Sequence, residues 1–283
     1  MSGVSETTVS PAVAAAGATS ASPRVPRITT RGCYDLTTGR PRRPGPTYRL
    51  YPKYYFEEVA GASELIIMVH GLRNDDRGAS EKTVIAQNAL QRLGHGGRPV
   101  VGFSYDANVR NAHRRRYQRQ ALRVGEIIAR RNGAHLARFL ARFRQGGANR
   151  NTRVRLLGHS LGSVVIHRAI MLLARDARLM KRMPGGIIES VHLFGASIPA
   201  DIQKDAEVRG AIDSTVRGRF VNCYAPTDEV LAQADSAGLT PEAGPLGLNG
   251  AAPGRTAAKY RQRRVRPENH RFASYAEALR TFP

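Results

Sequence analysis

One short stretch of the chain carries residue types and spacing suited to covalent chemistry: Gly158-His159-Ser160-Leu161-Gly162. A serine hydroxyl attacks only when a base removes its proton and a carboxylate holds that base in place. Glycines at 158 and 162 let two elements pack closely at a sharp turn. A residue at the tip, Ser160, is then forced outward in a strained backbone with its Oγ exposed. On such a strand-to-helix turn the partners follow in the order acid, then histidine. The histidines after Ser160 are His167, His192 and His270. His270 lies in a loop after the last strand-like segment and is the expected base. His167 falls inside the following helix and His192 inside a strand, where histidines pack. Asp228 is the expected acid, with Glu229 beside it and the earlier Asp201 as alternatives. Asp228 also suits an N-cap for a helix starting Glu229-Val230-Leu231, and the two roles are compatible.

Negative charge developing on a substrate oxygen needs two N–H donors. Leu161, directly after the serine, supplies one, aided by the N-terminus of the helix behind it. The loop after the apolar run Leu65-Ile66-Ile67-Met68-Val69 supplies the other, at Leu72. His70 and Gly71 support that loop: glycine permits close approach of backbone to substrate, and His70 reads as a local hydrogen-bonding residue rather than a proton carrier. No metal-ligand cluster, phosphate loop or dinucleotide fingerprint competes, so neither metal nor cofactor is expected.

The elements that must position these residues alternate. Leu65–Val69 reads as a strand covered on both faces, and Glu81–Leu93 as a helix. Pro99–Ser104 is the next strand. Ala121–Phe143 is a long amphipathic helix or a broken pair, with Gly133 at the bend. Val154–Leu157 and the helix through Leu173 flank the serine. Ile187–Phe194 and Phe220–Tyr224 are further strands, Ala206–Thr215 a short helix, Lys259–Val265 the last strand, and Ser274–Leu279 a closing helix. Tyr48–Val59 reads as an edge hairpin or two short strands. Alternation of this kind predicts an α/β fold with a mostly parallel sheet, helices on both faces, and its site at the strands' C-terminal ends.

The 283 residues suffice for one such domain with a tail. Residues 1–45, rich in Ser, Ala and Pro, read as a disordered basic tail, and residues 46–283 as the domain, with a loop-rich insertion at about 232–258. Val13-Ala14-Ala15-Ala16 is too short for a signal-peptide core; Arg24, Arg27 and Arg31 with few acids leave a transit peptide as the lesser reading. No run of apolar residues is long enough to span a bilayer. Two cysteines, Cys33 and Cys223, make neither a disulfide framework nor a zinc pattern. The expectation is a cytoplasmic protein, with peripheral membrane association open. The net charge of +22 rests almost wholly on arginine. It fits an anionic partner, whether a membrane surface, an acidic substrate or nucleic acid, or else a GC-rich coding bias that raises Arg, Ala, Gly and Pro together; the bias is the favoured reading.

From about residue 47 onward the chain resembles the α/β-hydrolase superfamily. Val69-His70-Gly71 looks like that fold's oxyanion strand and Gly158–Gly162 like its nucleophile elbow. Within it, several stretches resemble a little-characterised lipase-like group of archaea and bacteria. They are Val101–Asp106, Leu157–Gly162, Leu193–Ser197, Val221–Tyr224 with Asp228–Leu231, Leu246–Gly250, and His270 before Tyr275. The strong positive charge departs from relatives of salty habitats, which are acidic. The resemblance implies a metal-independent serine hydrolase with a Ser160–His270–Asp228 triad, cleaving a carboxylic or lipid ester through an acyl-enzyme. Thioesters, amides and peptides are alternatives on the same machinery. A non-enzymatic basic module holding nucleic acid is the rival of another class. Its features are His113-Arg114-Arg115-Arg116-Tyr117 and Arg261-Gln262-Arg263-Arg264, with few aromatics interleaved for base stacking. Oligomeric state does not follow from the sequence.

Overall fold

The structure is a computed structural model and describes residues 25–42 and 48–281. In chain order the elements are β1 (Arg27–Thr29), β2 (Arg49–Tyr51), α1 (Lys53–Glu58), β3 (Glu64–Val69), α2 (Asp76–Leu90) and β4 (Val100–Ser104). Then come α3 (Gln118–Gln145), β5 (Arg153–His159), α4 (Gly162–Ala174), α5 (Ala177–Arg182), β6 (Ser190–Phe194) and α6 (Ala206–Thr215). The chain continues through β7 (Phe220–Tyr224), α7 (Glu229–Ser236), α8 (Leu246–Asn249), β8 (Tyr260–Arg264) and α9 (Phe272–Tyr275). The strands form one eight-stranded sheet in the order β2-β1-β4-β3-β5-β6-β7-β8. Among the described residues, β2 is the one strand of this sheet that runs antiparallel to its neighbour.

The apolar run at β3 explains the layering. All six of its residues are buried. Leu65, Ile67 and Val69 face a core shared with α3 and α4, while Ile66 and Met68 face a second core shared with α2 and α9. Period-two alternation across a sheet covered on both sides produces this split. With its strand order, its antiparallel second strand and a strand-serine-helix turn after β5, the chain has the α/β-hydrolase fold.

Two sequence expectations need correction. The first is the tail. Residues 1–24 lie outside the described residues, but residues 25–42 are part of the fold. β1 sits between β2 and β4, with Arg27 opposite Tyr51 on one side and Gly102 on the other. Its strand is only three residues long and carries a single large apolar side chain, Ile28, which is completely buried. Polar bonds do the rest. Thr30 Oγ1 donates to Asn132 Oδ1 at 2.6 Å, the Tyr34 hydroxyl pairs with His135 Nε2 at 2.9 Å, and Asp106 accepts from the N–H groups of Gly32 and Tyr34. The second correction concerns Tyr48–Val59: its first part is β2, but the remainder is α1, which buries Phe56.

Elsewhere α3 is one unbroken helix of 28 residues. Gly133 does not bend it but lets α4 approach: a Cβ there would lie 2.5 Å from Arg168 Cβ and 3.1 Å from the Ala169 nitrogen. The 232–258 stretch is loop-rich, yet α8 within it is packed in place. Ala225 N–H donates to Gly247 O at 2.8 Å and the Asn222 amide to Leu246 O at 3.0 Å. At the sheet's other end the buried Glu64 carboxylate is held by Arg98, Arg153 and Arg155, which is how a central strand can begin with charged residues. Among the described residues no helix is long and apolar enough to cross a membrane.

Candidate active site

Ser160 stands between β5 and α4 with φ +52°, a left-handed value that side-chain-bearing residues rarely adopt. The surrounding bonds hold it there. Its N–H donates to Phe194 O at 2.9 Å, and its carbonyl accepts from the N–H and the hydroxyl of Ser163. Ser163 Oγ in turn accepts from Ser197 N–H at 3.0 Å, so β6 buttresses the turn. Gly162 is required because a Cβ would lie 2.3 Å from Val69 O. Gly71 is required on the opposite side: its Cβ would stand 2.8 Å from Ser160 Cβ and 3.3 Å from Oγ. Gly158 serves the same close packing, against Ile166 and Leu193.

The structure brings Ser160, His270 and Asp228 into one hydrogen-bonded line. Ser160 Oγ lies 2.9 Å from His270 Nε2, and His270 Nδ1 lies 2.6 Å from Asp228 Oδ2. The two bonds fix the tautomer: Nδ1–H donates to the carboxylate, leaving the Nε2 lone pair for the serine proton. Asp228 is almost wholly buried. It also caps α7, with Oδ1 accepting from Leu231 N–H at 3.1 Å, so the two roles fall to different oxygens. Burial pushes its carboxyl upward. The hydrogen bond and charge of His270, with bonds from Tyr275 and Leu231, outweigh burial and hold it below the usual carboxylate value. Glu229 is exposed in the first turn of α7, and Asp201 precedes a short turn after β6; the structure joins neither to His270.

Two supporting residues had no assigned role in the sequence reading. Tyr275, buried in α9, donates its hydroxyl to the same Asp228 oxygen at 2.6 Å. Burial and that bond raise the phenol well above its ordinary value. The only signal was its place five residues after His270. Asn74 donates through Nδ2 to the carbonyls of Gly71 and Leu72, at 3.0 and 2.9 Å. Arg31 grips the Asn74 and Asp75 carbonyls from β1's side. The loop carrying Leu72 is thus braced from two directions.

Neither the Leu72 N–H nor the Leu161 N–H has an acceptor among the described residues, as two donors reserved for a substrate oxygen would require. The side chains of both leucines lie against α3 where it is bare, at Gly125: a Cβ there would meet Leu72 Cδ1 at 2.6 Å and Leu161 Cδ2 at 3.1 Å. An apolar wall therefore stands beside the serine. His70 is locked in place. Its Nδ1–H donates to Gly71 O at 2.9 Å, its Nε2 accepts from Tyr105 N–H at 3.2 Å, and its ring stacks on Tyr105. His159 donates Nε2–H to the His270 carbonyl at 2.8 Å, which holds the histidine's backbone over the turn. Among the described residues no group of three or more His, Cys, Asp or Glu side chains could hold a metal ion.

Burial keeps a set of histidines neutral. His70, His159 and His192 are pushed down to about 3, and His167 to about 4, chiefly by loss of solvent and then by neighbouring positive charge. The unfolded chain, with ordinary histidines near 6.5, binds protons that the folded chain refuses. Stability is therefore fully present above about pH 6.5 and drains as pH falls toward 3. Each refused proton contributes a slope of about 1.4 kcal/mol per pH unit. Urea melts at stepped pH are expected to show the midpoint dropping steadily from about pH 6.5 to 4; a flat midpoint over that window would contradict the burial argument.

A family described as "Protein of unknown function (DUF726)" matches residues 119–234. The match takes in Ser160 and Asp228 and stops short of His270. No curated protein matches the chain in sequence. Among solved structures, the crystal structure of Aspergillus fumigatus lipase B is similar at 11% identity with a TM-score of 0.36, over 82% of this chain and 56% of that one. The chain thus spans little more than half of that lipase, and the fold assignment stands on strand order. Neither match bears on the narrower resemblance to an archaeal group.

Proposed function

We propose that the protein is a serine hydrolase that cleaves a carboxylic or lipid ester through an acyl-enzyme, with Ser160, His270 and Asp228 as its triad. The observation that carries this reading is the unbroken line from Ser160 Oγ through His270 to Asp228, at 2.9 and 2.6 Å. Ser160 Oγ attacks the ester carbonyl carbon as its proton passes to His270 Nε2. The carbonyl oxygen, now negative, is held by the N–H groups of Leu161 and Leu72. His270 then delivers the proton to the departing alkoxide oxygen, leaving the acyl group on Ser160. Water repeats the sequence: His270 takes its proton, the hydroxide attacks, and the carboxylic acid leaves as Ser160 is reprotonated. Asp228 stays ionised throughout and offsets the imidazolium charge. The wall of Leu72 and Leu161 favours an apolar acyl chain.

A fluorophosphonate probe tests the reading directly, because it labels an activated serine and ignores a binding module. Labelling that is lost in the Ser160→Ala variant is expected; native protein that resists the probe would refute it. A panel of chromogenic esters of rising acyl length then reports the depth of the apolar wall.

The carboxylates are expected to rank clearly. Asp228→Asn lowers kcat by on the order of 10⁴ at neutral pH, because an amide favours the wrong histidine tautomer and cannot offset its charge. Glu229→Gln and Asp201→Asn change it only a few-fold at most. Tyr275→Phe, which removes one bond to a charged oxygen, costs about tenfold or somewhat more. Steady-state kinetics on the four variants check the order; if Glu229→Gln is the most impaired, the acid is misassigned.

A further inference from the structure

We infer that the loops around Ser160 form a docking surface for an anionic lipid bilayer. The strands from β3 to β8 are parallel through β4, β5, β6 and β7, so their C-terminal ends share one edge of the sheet. The loop after β4 is tied to the Leu72 loop by Arg73, whose N–H donates to Ala107 O at 2.8 Å and whose guanidinium bonds Ala112 O. It carries Arg110, Arg114 and Arg116, all exposed. The segment between β8 and α9, which holds His270, carries Arg264, Arg266 and Arg271, also exposed. None of these six forms an ion pair among the described residues. At the end of the Leu72 loop the exposed Asp75 caps α2 and the exposed Asp76 pairs with Arg27 and Arg31. The exposed carboxylates of the two arginine-bearing segments and α7 are Glu229 and Glu268, so these loops carry net positive charge. On α7, two residues after Asp228, Val230 is 51% exposed, one of the few large apolar side chains in water among the described residues.

Guanidinium groups without ion-pair partners, on loops that also bear exposed apolar surface, complement the two layers of a leaflet, phosphate first and acyl chain beneath. Nucleic acid would use the guanidinium groups but leave Val230 and the leucine wall unoccupied. The choice of a lipid rests on the serine-hydrolase reading. Sedimentation needs no turnover, so it is run on the native chain and on the Ser160→Ala variant, and failure of hydrolysis leaves docking readable.

The experiment is co-sedimentation of the full chain with vesicles of phosphatidylcholine alone, or of phosphatidylcholine with phosphatidylglycerol at about three to one. Salt is set at about 0.05 M and about 0.5 M. Binding only to the anionic vesicles, weakened by salt, is expected. The triple variant Arg110→Gln, Arg114→Gln, Arg116→Gln and the triple Arg264→Gln, Arg266→Gln, Arg271→Gln each lower the partition coefficient roughly a hundredfold, since each arginine near such a leaflet contributes about fivefold. Arg178→Gln, Lys181→Gln, Arg182→Gln removes equal charge from exposed positions on α5, at the far end of α4 from the serine, and leaves binding unchanged. Equal loss in the α5 variant would reduce the effect to overall charge and overturn the proposal. So would equal binding to neutral vesicles, or duplex DNA bound more tightly than anionic vesicles and released by the same loop substitutions. Circular dichroism confirms that the exposed substitutions leave the fold intact, and the salt dependence of the native chain tests the proposal without any variant.

Discussion

Replacing Ser160 with alanine, or His270 with alanine, is expected to lower ester turnover by on the order of 10⁴ or more while the circular dichroism spectrum stays native. The size of the effect follows from the proposed reaction, in which Ser160 carries the acyl group and His270 the proton. Without Oγ there is no acyl-enzyme, and without the imidazole the hydroxyl keeps its proton at neutral pH. In the proposed mechanism the pair of N–H donors remains, acts on any bound carbonyl and leaves a residual rate above that in water. Because the two residues act in one step, the double variant should be little worse than either single one. The fold survives because neither side chain is part of a core: Ser160 is half-buried, and the His270 side chain is 16% exposed. Alanine at 160 keeps the left-handed backbone with the same neighbours. Steady-state rates on a chromogenic ester, with spectra recorded beside them, decide the matter; near-normal turnover in either variant with a native spectrum would remove both residues from the mechanism.

Deleting the chain up to Thr47 is expected to abolish folding altogether. The deletion removes β1 from between two strands, leaving β2 without a partner and β4 with a bare edge. It also strips bonding partners from buried groups that cannot recruit water cheaply: Asn132, His135 and Asp106 lose Thr30, Tyr34 and the N–H groups of Gly32 and Tyr34. Orphaned buried polar groups cost about 1–3 kcal/mol each, and a domain of this kind has only about 5–15 kcal/mol in total. Arg31, which braces the Asn74 turn, goes as well. A shortened chain that melts cooperatively near the native temperature and still reacts with a fluorophosphonate would overturn this expectation. A milder probe is Ile28→Asp, which puts a charge at a fully buried position and should lower the melting temperature sharply.

The contrast between β3 and β1 marks how far the sequence can be read. β3 is a run of apolar residues covered on both faces, and a run of that kind has no other stable home. β1 is Arg-Ile-Thr between prolines, arginines and threonines; one buried isoleucine gives no period to detect, and its stability comes from bonds to residues about a hundred positions away. The serine turn was legible for the opposite reason, because tight geometry restricts residue type at 158 and 162 within a few positions. Asp228 and His270 were legible from order alone, and the structure brings them within hydrogen-bond distance of each other and of Ser160. Asn74 and Tyr275 act through contacts that only the folded chain creates, and no local pattern marks either one. Gly133 shows the converse: a glycine in a helix suggests a bend, but its reason lies on the neighbouring helix.

The parallel pairing of β1 with β4 also orders events during synthesis. Arg27 meets Gly102, 75 positions later, and Glu64 in β3 meets Arg153, 89 positions later. As the chain leaves the ribosome, β1 can pair early only with the three-residue β2, its parallel mate β4 comes much later, and the middle of the sheet cannot close until β5 appears. Closing loops of this length is entropically costly before any contact rewards it. Through that interval the apolar run of β3 stands unsheltered, the situation in which nascent chains aggregate and chaperones are recruited. During synthesis the slow passage lies between the emergence of β3 and that of β5, and in refolding from denaturant material is expected to be lost to aggregation before β4 and β5 have paired with β3.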